Sequence, residues 1–440
     1  MKKTLAALAA LSTIVALPAP ALASEAELMQ RIEQLAAELE KVKAELAATK
    51  QKTDHVEQRQ EALAASKTAP AASQPVAVAS EPTEVREAGP RTVVTSYGEI
   101  NFNRPVHDAG SSQADAARAV IGIEHRFDDR TRMVSEFEWE HAVASSDDQG
   151  ETEVEQLYIE REFGNGMRAK AGLFLIPAGL LNTNHEPTAY YGVERNFVET
   201  AIIPSTWREA GVGLSSTLDN GLSWDVGVTT GFDLGKWDFT AESEARESPL
   251  GSIHQEGQLA KARDLSVHGA LNWRGVPGLL LGGSLFTGKA GQSAPGFAGN
   301  DARVTLWDLH ARYNPGRWDL SALFARGTIS NTETLNLLNA GNPTPVPSSF
   351  QGWYTQAAYQ LWKGGDYTLS PFIRYEQFDT AMSYATLPAG LGVPSGPTQK
   401  VTTVGANFRV GEGVVVKADY QKFHDNRDLD RVDLGFGYSF

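Results

Sequence analysis

The chain has 440 residues, no cysteine and a formal net charge of −15. The missing thiols exclude a disulfide framework and thiolate-based metal or nucleophile chemistry, and the acidity argues against a nucleic-acid-binding face. It also argues against bulk attraction of anions, although a channel responds to the charges at its narrowest point rather than to the total.

In chain order, residues 1–23 read as a signal peptide. Lys2 and Lys3 precede an apolar run from Leu5 to Leu17, and Ala21-Leu22-Ala23 supplies a small-x-small cleavage site. No later stretch holds eighteen consecutive apolar residues, so no transmembrane helix is expected. Residues 24–65 carry a heptad seam, Leu28, Ile32, Leu35, Leu39, Val42 and Leu46, between charged flanks. That pattern predicts a coiled coil roughly 55–60 Å long, at 1.5 Å per residue. Residues 66–92 are rich in Ala, Pro and Ser and read as a semi-extended linker.

From Val93 to Phe440 the texture changes to short alternating segments separated by turn residues, and sixteen strands are expected. Short Gly/Asn/Asp/Pro turns such as Gly164-Asn165-Gly166 and Asn314-Pro315-Gly316 alternate with long connections such as Ile176–Thr206 and Phe232–Lys261. An even strand count, short turns on one rim and long loops on the other describe an outer-membrane barrel. The expected fold class is therefore all-β, a 16-stranded antiparallel transmembrane β-barrel with an N-terminal periplasmic coiled-coil helix. The last strand, Asp430–Phe440, sets Val432, Leu434, Phe436, Tyr438 and Phe440 against Arg431, Asp433, Gly435, Gly437 and Ser439. An unpaired strand of this kind would leave an open sheet edge, so it is expected to seal against Val93–Asn103.

Facing follows from the same period of two. In Thr131–Ala142, Met133, Phe137 and Trp139 oppose Arg132, Glu136, Glu138 and Glu140, and in Met167–Leu175 the apolar positions oppose Arg168 and Lys170. A barrel of sixteen strands is too wide to fill with side chains, so the charged face is assigned to a water-filled lumen and the apolar face to lipid. The Ile176–Thr206 loop is long and apolar, with Tyr190 and Tyr191 in its middle. It is expected to fold into the lumen and narrow it, the other uses being an extracellular cap or a contact with a neighbouring subunit. The pore-lining candidates are Arg168, Lys170, Arg195, Arg208, Glu136, Glu138 and Glu140, with the four cations forming a local basic patch that would pass phosphate or other small anions.

Several stretches resemble the phosphate-selective porin O and P family of bacterial outer-membrane porins. They are GLFLIPAGLLNTNHEP (172–187), FVETAIIPSTWREAGVGL (197–214), GWYTQAAYQL (352–361), PFIRYEQFDT (371–380) and the terminal DLGFGYSF. The resemblance covers about Val93 to Phe440 and implies a sixteen-stranded trimeric barrel with an anion- or phosphate-preferring pore. It fixes no basic residue by motif, and the inward-facing charges here are of mixed sign.

The expected function is passive diffusion of small hydrophilic solutes through a homotrimeric outer-membrane porin, with lipid, ions or solutes in transit and the barrel-assembly machinery as partners. The other reading is a structural tether from the outer membrane to the cell wall through the coiled coil, with the pore secondary. No G-x-S-x-G elbow is present and the histidines are scattered, so an enzyme is not expected, nor is a cofactor or a metal site.

Overall fold

A computed structural model of the chain describes residues 91–145, 148–241, 248–385 and 398–440. The expected signal peptide and coiled coil lie outside the described residues, as does the linker up to residue 90. Among the described residues no helix is long and apolar enough to cross a membrane.

Among the described residues sixteen antiparallel strands form one sheet: β1 Arg91–Pro105, β2 Gln113–Arg126, β3 Thr131–Glu140, β4 Thr152–Glu162, β5 Arg168–Leu175, β6 Arg208–Thr217, β7 Leu222–Thr229 and β8 Ser266–Trp273 make the first half. The second half is β9 Leu279–Lys289, β10 Arg303–Tyr313, β11 Trp318–Ser330, β12 Ser349–Tyr359, β13 Tyr367–Ser383, β14 Gln399–Val410, β15 Val414–Phe423 and β16 Arg431–Ser439. The short segment Trp362–Gly364 resumes β12 after an irregular Gln360-Leu361 step and pairs with β13 like the rest of that strand. Each strand is hydrogen-bonded to its sequence neighbours, and β16 closes on β1 with Gly98 opposite Tyr438. Ser96 and Phe440 exchange backbone hydrogen bonds of 3.1 and 2.9 Å at the seam. The ring therefore has no open edge.

The outward face is apolar. Ile100, Leu271, Leu309, Val404, Leu434 and Phe436 all stand exposed on it. Among the outward aromatics, Trp318 pairs with Tyr359 at the short-turn end of β11 and β12, the place expected of a girdle residue, and Trp353 pairs with Tyr375 farther along the strands.

Three features depart from simple alternation. β13 is long, running to Ser383, because Ser349 of β12 continues to pair with it past an irregular step. At the upper, long-loop end, the inward positions Val304 and Leu306 of β10 and Leu323 and Ala325 of β11 are apolar and buried. They meet Trp207, Phe232, Leu250, Ile253 and Phe350 in a core built from strand faces and the loops above them. Part of the lumen is thus filled, where the pattern predicted a charged wall throughout. The third departure is a β-bulge in β4. Phe137 opposes Val154 and Glu136 opposes Gln156, which leaves Glu155 as the extra residue.

Candidate constriction of the lumen

The loop from Ile176 to Thr206 enters the barrel through a clasp at its base. Asn182 donates to the carbonyls of Ile176 and Trp207 at 2.7 and 2.8 Å and accepts from Trp207 N–H at 2.7 Å. One side chain therefore ties the first residue of the loop to Trp207 just after its end, and it satisfies the buried Trp207 N–H, while the two carbonyls also accept from Ile176 and Ala178 N–H.

Beyond the clasp the loop touches the inner wall residue by residue. Arg118 of β2 donates to the His185 carbonyl at 2.6 Å. Thr188 meets Ser439 of β16 at 2.7 Å, and its carbonyl accepts from Arg409 of β14. Tyr190 donates to Glu99 of β1 at 2.8 Å, and Asn407 of β14 donates to the Tyr190 carbonyl at 3.0 Å. Val193 N–H donates to Asp419 of β15 at 2.7 Å, and Phe197 N–H to Glu376 of β13 at 2.7 Å. Lys417 of β15 stands 3.6 Å from the centre of the Tyr190 ring. The loop is therefore seated in the lumen, as expected, on walls that are far apart in sequence.

The return limb ends in one π-type turn, Val198–Ile202, laid against β11, β12 and β13. Glu199 anchors it. Leu180 and Leu181 N–H donate to its Oε1 at 2.6 and 2.7 Å, and Asn196 and Tyr354 donate to its Oε2 at 2.9 Å each. Burial pushes this carboxyl above its ordinary range, while the four donors pull the other way.

Two water-accessible spaces flank the loop. One, of about 560 Å³, lies between Gly179–Asn184 and the short-turn ends of β8 to β10, with Asn272, Arg274, His310 and Arg312 on its wall. The other, of about 400 Å³, lies beside β1 to β3 and is lined by Tyr97, Glu124, Glu136 and Glu186. The first is mixed and partly basic, the second acidic.

The seven pore-lining candidates do not share one place. Lys170 is paired with Asp225 of β7 at 2.9 Å and lies over the Phe174 ring. Arg208 is buried between Glu153 and Glu256. Arg195 donates to the hydroxyls of Ser205 and Thr206 on its own loop. Arg168 is exposed, opposite Glu162, and among the described residues makes no ion pair. Glu136, Glu138 and Glu140 rise along one face of β3, with Glu138 fully buried and Glu136 accepting from Gln156.

Residues not singled out from the sequence complete the site. His185, Tyr97 and Glu155 meet where the loop first reaches the wall. Tyr97 donates to Glu155 Oε2 at 2.7 Å and lies 2.7 Å from His185 Nε2. Simple alternation assigns Glu155 to the outward face with Leu157 and Ile159, and only the bulge turns it inward. No local signal in ETEVEQLYIE marks that bulge.

No family model matches the sequence. A relative described only as an uncharacterized protein of Aquifex aeolicus (strain VF5) is 29% identical over 349 residues, 77% of each chain. Among solved structures, Salmonella typhi OmpF in complex with daunomycin matches with a TM-score of 0.55 at 17% identity, over 80% of this chain and 98% of that one. An outer membrane protein of Vibrio cholerae, OmpT with loop L8 deleted, matches with a TM-score of 0.50 at 10% identity, over 80% and 100%. At these identities the likeness is one of fold: a closed sixteen-stranded barrel of the outer-membrane porin type. The narrower resemblance to phosphate-selective porins rests on the quoted stretches alone.

Proposed function

We propose that the protein is a passive outer-membrane porin, a water-filled channel for small hydrophilic solutes. The observation that carries this reading is the constriction loop. A closed barrel with an apolar outer belt sets a hydrogen-bonded loop against its inner wall and leaves polar, water-accessible space on both sides of it. The barrel-type fold also supports placement in the outer membrane, a homotrimeric assembly and insertion by the barrel-assembly machinery.

The finer part of the proposal is a preference for phosphate or other small anions. Of the four candidate cations, Lys170 and Arg208 are neutralised by carboxylates, while Arg168 and Arg195 are not. Their fields are the ones a passing anion would meet, against a wall carrying Glu136, Glu138 and Glu140. Planar-bilayer recordings test both parts. Stepwise, ohmic conductance is expected from the purified protein, and its absence sinks the porin reading. In a salt gradient, Arg168→Gln with Arg195→Gln should move the reversal potential toward cation preference. A pore that is cation-selective before and after those changes removes the anion proposal and leaves the porin.

A further inference from the structure

We propose that Glu136, Glu155 and His185 form a divalent-cation site that fastens the constriction loop to the barrel wall. One donor atom from each lies within 4.8 Å of the other two, and His185 Nε2 is 3.5 Å from Glu155 Oε1. In a tetrahedral zinc site with bonds of about 2.0–2.2 Å, neighbouring donors stand roughly 3.3–3.6 Å apart. The His–Glu pair already has that spacing, and Glu136 needs only a side-chain adjustment to join it.

The imidazole is oriented for this role. His185 Nδ1 lies 3.0 Å from the Asn182 carbonyl, which can only accept, so Nδ1 carries a proton; Nε2 lies 2.7 Å from the Tyr97 hydroxyl and 3.5 Å from Glu155 Oε1, and an incoming ion takes the place of the Tyr97 contact. A backbone carbonyl on the far ring nitrogen is the usual outer-shell partner of a metal-binding histidine. Asn182 is also the clasp of the loop, so the ring is held at its root.

The charges point the same way. Glu138 lies against Glu155, and both are buried, each with one carboxylate oxygen that has no hydrogen-bond partner. The buried Arg118 guanidinium is held by Glu99 at 2.7 Å and by the His185 carbonyl, its Nη1 is left without a hydrogen-bond partner, and its charge acts on Glu138. With Glu136 this gathers three carboxyl groups beside one imidazole, and a buried carboxylate oxygen without a partner is unfavourable. A divalent ion gives those oxygens a partner. One imidazole with carboxylates suits zinc or manganese better than the all-oxygen preference of calcium or magnesium. The ion has a route in, because Tyr97 and Glu136 line the 400 Å³ cavity beside β1 to β3.

The competing arrangement is a doubly protonated His185 acting as the cation itself. Metal content separates the two without reference to what the channel conducts. Full-length protein in detergent is stripped with chelator, given Zn²⁺ or Mn²⁺, passed over a desalting column and analysed for metal. About one ion per chain is expected to stay bound, with a raised melting temperature and an X-ray absorption spectrum showing one nitrogen among oxygen donors. His185→Gln and Glu155→Gln should each cut retention at least tenfold. If either fails to fold, Glu136→Gln, at the cavity edge, gives the same reading. No retained metal in the wild type, or equal retention in the variants, overturns the site.

Discussion

Glu199 shows how one buried carboxyl can hold a loop. Its four donors come from both limbs of the loop and from Tyr354 on the wall, so its loss leaves two backbone N–H groups and a tyrosine hydroxyl unpaired in an apolar setting. Glu199→Ala should therefore cost about 3 kcal/mol or more of stability, read as a lower melting temperature, and should make the open channel noisier. The pH dependence has a definite sign. Because burial raises this carboxyl's pKa in the folded state, the folded protein binds the proton more tightly than the unfolded chain. Its contribution makes the fold more stable as pH falls from neutrality toward the ordinary glutamate value near 4.3, and is flat below that. The difference in melting temperature between wild type and Glu199→Gln, followed across that range, should shrink or reverse in the corresponding sense. A difference independent of pH would show that Glu199 does not titrate there.

At the scale of elements, β16 is shaped by the loop as much as by the membrane. Its last inward positions, Gly435, Gly437 and Ser439, are small, and the loop lies directly on them. A Cβ added at Gly437 would fall 2.5 Å from Pro187, and one at Gly435 would fall 3.0 Å from Val193. Gly437→Val should push the loop off the wall, with a cost of about 1–3 kcal/mol and a changed single-channel conductance, while the outward face and barrel closure stay intact. The small residues were legible in DRVDLGFGYSF as one face of a strand, but not as a seat for residues 187–193. The β4 bulge was not legible at all. Its single extra residue reverses the facing of Glu153 and Glu155, and period-two counting has no means of registering an insertion that leaves composition unchanged.

For the whole molecule, closure at the Ser96–Phe440 pair decides whether the sheet is a barrel or an open ribbon. Phe440 presents its ring outward and supplies both backbone bonds at that step. Its deletion should reduce the folded, heat-modifiable fraction on semi-native gels more than it alters conductance in the molecules that do insert. Normal assembly with altered selectivity would contradict this. The coiled coil proposed for residues 24–65 is tested at the same scale. Its removal should lower the temperature at which the proposed trimer dissociates in detergent, and an unchanged value would favour the tether reading instead.

Strand count, facing and the alternation of short turns with long loops followed from the sequence, because each depends on neighbours one to four positions apart. The membrane-facing surface was legible for the same reason, since lipid contacts every outward residue alike. The path of the constriction loop, the filled sector of the lumen and the Glu136–Glu155–His185 cluster needed the tertiary structure. Those features join residues from β1, β3, β4 and the loop, and from β9 to β14, whose proximity is created only when the ring closes. Which of the lumen's cations remain unpaired was decided there too, because Asp225, Glu153 and Glu256 reach Lys170 and Arg208 only across neighbouring strands and loops.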